Sequence, residues 1–225
     1  MNFSNQPHIY FGISEKKDGP MKYSEENRLL FFKNNNLEQK VIISAGLVDG
    51  KQITIVDGIG DSQIIPNCDA LISGQEEQLL TITVADCLPI YFYDAQKRVV
   101  ALAHAGWRGA LSLIAPQVIE KMKECYHCQP PDIEVIIGPH IQACHFEVKN
   151  DVARQFKETD LITKDGQTFL HLAQTVANQG IEAQVPMANI RISPDCTYCR
   201  SDQYFSYRRD QKAELETMIA YISLK

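Results

Sequence analysis

Two runs of strand-forming residues separated by a short polar turn constrain this chain more than any other feature. The first is Ala85-Asp86-Cys87-Leu88-Pro89-Ile90-Tyr91-Phe92-Tyr93, the second runs from Arg98 to His104, and Asp94-Ala95-Gln96-Lys97 lies between them. Short apolar runs bounded by turn residues read as buried strands, and so brief a connection makes them an antiparallel hairpin. With the turn centred on Ala95-Gln96, Tyr93 faces Arg98, Phe92 faces Val99, Ile90 faces Ala101 and Cys87 faces His104. Directly opposed residues hold their Cβ atoms roughly 4.5–5.5 Å apart. That separation suits one ion shared by a thiolate at ~2.3 Å and an imidazole at ~2.0 Å. It equally suits a Cys–His nucleophile pair. A slip of one residue would send the two side chains to opposite faces.

The second strand runs on into His104-Ala105-Gly106-Trp107-Arg108-Gly109, which holds the single tryptophan of the chain. Small residues there let the backbone approach a ligand, and free amides at a helix start attract anions. Arg108 adds a bidentate contact for phosphate. The alternative is a plain strand–turn–helix junction, with Trp107 in the core and Arg108 on the surface. Farther on, Phe205-Ser206-Tyr207-Arg208-Arg209-Asp210 sets two arginines beside hydroxyls, a pattern that holds phosphate or carboxylate or closes a strand end with salt bridges. His140 and His145 lie near a turn as candidate catalytic groups or surface histidines. Two CxxC units, Cys125 to Cys128 and Cys196 to Cys199, have the form of half-sites for zinc. The first ends a helix and the second precedes a strand, and nothing in the sequence requires them to meet, so unpaired thiols are expected.

The remaining segments read as a mixture. Strands are expected at residues 8–13, 41–44, 52–56, 79–84, 132–137, 189–193, 204–207 and 217–224. Helices are expected at 24–34, with Ser24 as N-cap, at 109–125, broken or restarted at Pro116, and at 148–156 and 169–180. Hairpins outnumber βαβ units, which gives an α+β or mixed α/β fold and not a doubly wound nucleotide-binding one. With 225 residues, 44% apolar and 22% charged, and no repeat or linker, the chain is expected to form one domain over 1–225. It can bury about 70% of its unfolded surface, so a metal would serve chemistry before stability. A net charge of −6 argues against non-specific nucleic-acid binding. The apolar stretch at 79–93 is interrupted by Asp86 and is too short to span a bilayer. The first residues lack the basic and apolar regions of a signal peptide. Together with seven cysteines, an odd number, this points to free thiols in a reducing cytoplasm.

The order and spacing of these motifs, with Asp69-Ala70-Leu71-Ile72, Gly138-Pro139 and Cys144-His145-Phe146-Glu147-Val148, resemble the bacterial polyphenol-oxidase or laccase-domain family. The resemblance runs from about Tyr10 to Leu224. It implies an α/β/β/α layered domain akin to the catalytic domain of cytotoxic necrotizing factor. It implies purine nucleoside phosphorylase activity, releasing free base and ribose 1-phosphate from adenosine, inosine or methylthioadenosine, together with adenosine deaminase activity. It also implies zinc, or copper in older descriptions, held by a His-Cys-His set, in a monomer or homodimer acting on small molecules. The family cysteine falls on Cys87 and its second histidine on His104. Its first histidine, in Gln-Val-His-Gly, falls on Asp49 of Leu47-Val48-Asp49-Gly50. Asp49 can ligate zinc, be replaced by another residue, or mark a lost site. The family's Thr-Gly-Arg after the arginine motif is replaced by Gln211-Lys212-Ala213-Glu214. On this reading Asp86 orients a ligand, and Arg108, Gly109, Arg208 and Arg209 bind phosphate or substrate. A cysteine hydrolase, such as a peptidoglycan-editing amidase with Cys87 as nucleophile and His104 as base, is the rival, and a non-catalytic member without metal is the third reading. Four-copper oxidation needs more histidines than the six present.

Overall fold

The computed structural model describes residues 8–225. In chain order the first half forms β1 (Ile9–Ile13), α1 (Glu25–Asn34), β2 (Val41–Gly46), β3 (Ile53–Ile55), β4 (Gln63–Pro66), β5 (Ala70–Ser73), β6 (Gln78–Val84), β7 (Leu88–Asp94), β8 (Val99–Ala105) and α2 (Trp107–Leu111). The second half forms α3 (Ile114–Tyr126), β9 (Ile133–Ile137), β10 (Glu147–Val148), α4 (Asn150–Ala153), β11 (Leu161–Lys164), β12 (Gln167–Leu170), α5 (Leu172–Glu182), β13 (Ile190–Ile192), α6 (Tyr207–Asp210) and β14 (Met218–Leu224).

Two mixed sheets carry the fold, one ordered β1-β14-β6-β2-β4 and the other β13-β9-β7-β8-β5-β3. Every residue of β7 and β8 is buried, as strands covered on both faces require. Alternate side chains explain how. Tyr91, Tyr93, Val100 and Leu102 pack with Leu80, Ile82, Ala220 and Ile222 of the other sheet. Leu88, Ile90, Phe92 and Ala101 point the opposite way, toward Val118, Met122 and Val176 of α3 and α5. The outer face of the five-stranded sheet is covered by Phe31 and Phe32 of α1, against Leu79 and Ile219. The order is therefore helix, sheet, sheet, helix.

Most expected strands are present, and Ser24 caps α1 by accepting the Asn27 amide at 3.2 Å. The helix expected at 109–125 divides before Pro116, at Leu113, whose φ is 58°. Pro116 then sits in the first turn of α3, where its missing N–H goes unneeded. The helix expected at 148–156 shrinks to α4, and the one expected at 169–180 begins only at Leu172. The residues before it form a β11–β12 hairpin turned by Asp165-Gly166, with φ of 52° and 78°, a pair suited to a type I′ turn. The strand expected at 204–207 is absent. Ser206 instead caps α6, its hydroxyl accepting the Arg209 amide at 3.2 Å.

Candidate metal centre and cleft

The hairpin forms in a different register from the one expected. Leu88 pairs with Ala105, Pro89 with His104 and Asp94 with Val99. The cause lies in the turn. Asp94 accepts the amides of Gln96 and Lys97, both at 2.9 Å, and Arg98 takes φ 51°, so Arg98 joins the turn and not the ladder. The displacement is even, so faces are preserved. Cys87 now lies across from Gly106, where a Cβ would sit 3.2 Å from its sulfur. His104 is its diagonal neighbour, and the two remain on one site.

Asp49 completes that site. One ligand atom from each of Asp49, Cys87 and His104 lies within 4.8 Å of the others, and His104 Nδ1 is 3.8 Å from Asp49 Oδ1. Asp49 adopts φ 57°, a conformation that Asp tolerates better than most residues. The fully buried Asp69 holds the loop there, accepting the Val48 amide at 3.1 Å and the Gly50 amide at 3.0 Å. The Asp69 carbonyl takes the His104 amide at 2.8 Å, and its carboxylate lies 4.0 Å from His104 Nδ1. Asp69 thus holds the backbone of the loop that carries Asp49 and the backbone of His104. It was legible only as part of a motif, because the contact joins segments far apart in the chain.

Asp86 turns elsewhere. Its carboxylate accepts Thr197 Oγ1 at 2.6 Å, Ser206 Oγ at 3.0 Å and the Arg208 amide at 2.7 Å. Its carbonyl takes the Ile141 amide at 2.9 Å. These bonds make it the anchor of α6 and of the loop after β9, and not a partner of His104.

Burial pushes the His104 imidazole below its ordinary pKa, against the opposing pull of Asp49 and Asp69, so the ring is neutral near pH 7. Among the described residues its buried Nδ1 has no hydrogen-bond partner. Burial, then the charges of Asp49 and Asp86, push the Cys87 thiol up to about 12. A neutral imidazole with an orphaned nitrogen, beside a thiol and a carboxylate, is a donor set for a divalent cation, which would itself draw the proton from the thiol. Gly106 leaves open the space between Cys87 and Asp49 that a side chain would fill. The residues present fit zinc.

The site opens into a cleft of about 480 Å³, within the usual range for small-molecule sites. Trp107, Phe146, Leu172 and Tyr207 supply apolar wall, and Lys22, Arg108 and Arg208 supply positive charge. Arg108 is exposed and stacks on Trp107 at 4.3 Å. Arg208 lies over Phe146 at 5.6 Å and donates from Nη1 to the Glu147 carbonyl. Arg209 does not reach the cleft. Its guanidinium is spent on Asp210 and on the carbonyls of Thr197, Tyr198 and Tyr204, which makes it a brace. Gly109 is buried inside α2 against the His104 carbonyl, so it packs the helix onto the strand and does not line the cleft. After α6, Leu215 and Thr217 line the cleft, and Lys212 pairs with Glu216 at 2.7 Å. Cys125 is exposed and Cys128 is buried next to Asp94. Neither meets Cys196 or Cys199, which lie beside Cys144 and His145.

Fold and site together define a mixed α/β protein with a thiol–imidazole–carboxylate centre at the mouth of an arginine-bearing cleft. The model of the multi-copper polyphenol oxidoreductase laccase family matches residues 3–225, and the chain belongs to that family. It is 31% identical over 192 residues to purine nucleoside phosphorylase YfiH of Escherichia coli K12, covering 83% of this chain and 76% of that one. It is 36% identical over 166 residues to purine nucleoside phosphorylase YlmD of Geobacillus stearothermophilus, covering 70% of this chain and 60% of the relative. It is 35% identical over 150 residues to adenosine deaminase RL5 of an unknown prokaryotic organism, covering 63% and 56%. The match to a purine nucleoside phosphorylase of Clostridium acetobutylicum, 36% identical, spans 64% of this chain and 62% of that one. The chain thus spans about 60% of the length of several of the curated relatives it matches. The crystal structure of YlmD superposes with a TM-score of 0.88 at 27% identity, over 96% of this chain and 92% of that one. Among the described residues no helix is long and apolar enough to cross a membrane.

Proposed function

We propose that the cleft is the active site of a purine nucleoside phosphorylase that also deaminates adenosine. The observation that carries this reading is the meeting, in one cleft, of the Asp49–Cys87–His104 donor set, two arginines and exposed aromatic surface. The names of the relatives agree with it. Cys87, His104 and Asp49 would hold zinc, which when bound supplies Lewis acidity and lowers the pKa of a bound water.

The chain's own residues bind and orient. Arg108 and Arg208 receive phosphate through charge-assisted hydrogen bonds. Tyr207, 65% exposed, offers a ring face to the purine, and Phe146, Trp107 and Leu172 exclude water from around the sugar. In phosphorolysis a phosphate oxygen bonds to the anomeric carbon. The bond from that carbon to the base nitrogen breaks, its electron pair leaves with the base, and the base takes up a proton. In deamination water replaces the amino group, which departs as ammonia.

The cysteine hydrolase reading has less support, because burial and the neighbouring carboxylates hold the Cys87 thiol up to about 12, away from the thiolate that a nucleophile requires. The family's redox label finds no support in the donor set around the cleft, which has one histidine among its three ligands. The test is release of hypoxanthine from inosine by zinc-loaded protein. Release that depends on phosphate and yields ribose 1-phosphate supports the reading. No release from folded, zinc-loaded protein overturns it.

A further inference from the structure

A second group of metal-ligating side chains lies outside the cleft, on the loop after β9 and the segment before α6. Cys144 Sγ is 3.6 Å from Cys196 Sγ and 3.7 Å from Cys199 Sγ. His145 Nδ1 is 3.2 Å from Cys144 Sγ and 3.3 Å from Cys199 Sγ. All four ligand atoms lie within 4.8 Å of one another. A tetrahedral zinc ion with sulfur at ~2.3 Å and nitrogen at ~2.0 Å spaces its ligands about 3.5–3.8 Å apart. The four side chains therefore already stand close to the edges of such a tetrahedron. A disulfide would need two sulfurs at about 2.05 Å, and all three cysteines are free.

The surroundings are built for a thiolate cluster. The Gln142 amide points at Cys196 Sγ at 3.5 Å. The His145 ring stacks on Tyr198 with centroids 4.0 Å apart and 14° between planes, which fixes the direction of its nitrogen. Cys196 is buried, and His140 and Cys196 bridge the two segments through their backbones.

We propose that Cys144, His145, Cys196 and Cys199 bind a structural zinc ion in a closed Cys3His site. On binding, the three thiols release their protons to solvent and the neutral imidazole donates its lone pair. With four protein ligands no position is left for substrate, so the ion acts on structure. What it ties together matters for the cleft. One segment carries Ile141 and Phe146, the other leads through Thr197 to Tyr207 and Arg208, and both are anchored on Asp86. The second ion thus braces the wall that presents Arg208.

The test removes the first site so that the second is read alone. The full chain carrying Cys87→Ala and His104→Ala is equilibrated with zinc, desalted and assayed for metal. The proposal expects one equivalent retained, falling below about a tenth when Cys196→Ser and Cys199→Ser are added. Cobalt titration of the first variant gives a readout that needs no serine substitution. A tetrahedral spectrum with thiolate-to-cobalt charge transfer is expected. No retained zinc, retention unaffected by the serine changes, or a cobalt spectrum without thiolate bands overturns the proposal. None of these outcomes bears on phosphorolysis, because the variant lacks the first site from the start.

Discussion

Asp49 is the residue on which the proposed metal centre of the cleft turns. Its carboxylate stands where the family resemblance calls for histidine, and it faces His104 Nδ1 at 3.8 Å. Asp49→Ala is expected to weaken zinc binding at this centre by at least about 10–100-fold, the range found when mere outer-shell partners are lost. Competition with a chromophoric chelator measures it, in a background carrying Cys196→Ser and Cys199→Ser. Unchanged affinity would show that Asp49 is not a ligand. Arg209 has a different role, because its donors all go to the protein. Arg209→Ala leaves the carbonyls of Thr197, Tyr198 and Tyr204 without their partner and is expected to cost about 2–4 kcal/mol in urea unfolding. It also has an acid signature. Burial raises the Asp210 carboxyl, but the hydrogen bonds of Arg209 and the Ser206 amide outweigh it and hold the pKa below 3.8. A depressed folded pKa gives stability that is present above 3.8 and lost as pH falls through the folded value. The variant should lose less stability than the parent over that acid range.

At the scale of elements, Asp86 joins three pieces of chain that the sequence keeps far apart. It receives the Ile141 amide, the Thr197 hydroxyl, and the Ser206 hydroxyl with the Arg208 amide. Asp86→Asn replaces an acceptor oxygen by a donor and sets it against a donor, which costs about 1–3 kcal/mol for the unmade bond. Because α6 loses its anchor, the expected kinetic effect is a rise in the KM for phosphate at least as large as the fall in kcat. The reverse split would place Asp86 in the chemistry itself. Hairpins, helix caps and apolar runs were legible because they are local. Ser24 and the strands β6, β7, β8, β9 and β14 declare themselves by residue type and spacing. The hairpin register failed by two residues because the turn depends on the Asp94 carboxylate folding back on its own backbone. The β11–β12 hairpin was missed although Asp165-Gly166 is a turn signal, since the apolar residues after it also suit a helix. The contacts of Asp69, the commitment of Arg209 and the meeting of His145 with Cys199 were not legible, because each joins segments brought together only by the packed sheets.

For the molecule as a whole, the layered arrangement explains where the cleft lies. β2, β6 and β8 end at its floor, contributing Leu47, Thr83 and His104, and β7 starts there beside Cys87. Asp49 lies on the connection that crosses from β2 of one sheet to β3 of the other, the sheet that also holds β8 and His104. The helical side adds Trp107 and Arg108 through α2 and Leu172 through α5, while α6 brings Arg208 from the opposite rim. In the proposed function this convergence performs phosphorolysis with Cys87 as a ligand and not as a nucleophile. The direct measurement is formation of hypoxanthine and ribose 1-phosphate from inosine, with and without phosphate, by zinc-loaded parent and Cys87→Ser chains. Equimolar products are expected in the parent only when phosphate is present, with the rate in Cys87→Ser reduced by about 100-fold or more, the scale of losing a transition-state interaction of about 3 kcal/mol. Equal release without phosphate, or no release from a folded parent carrying its zinc, would contradict it.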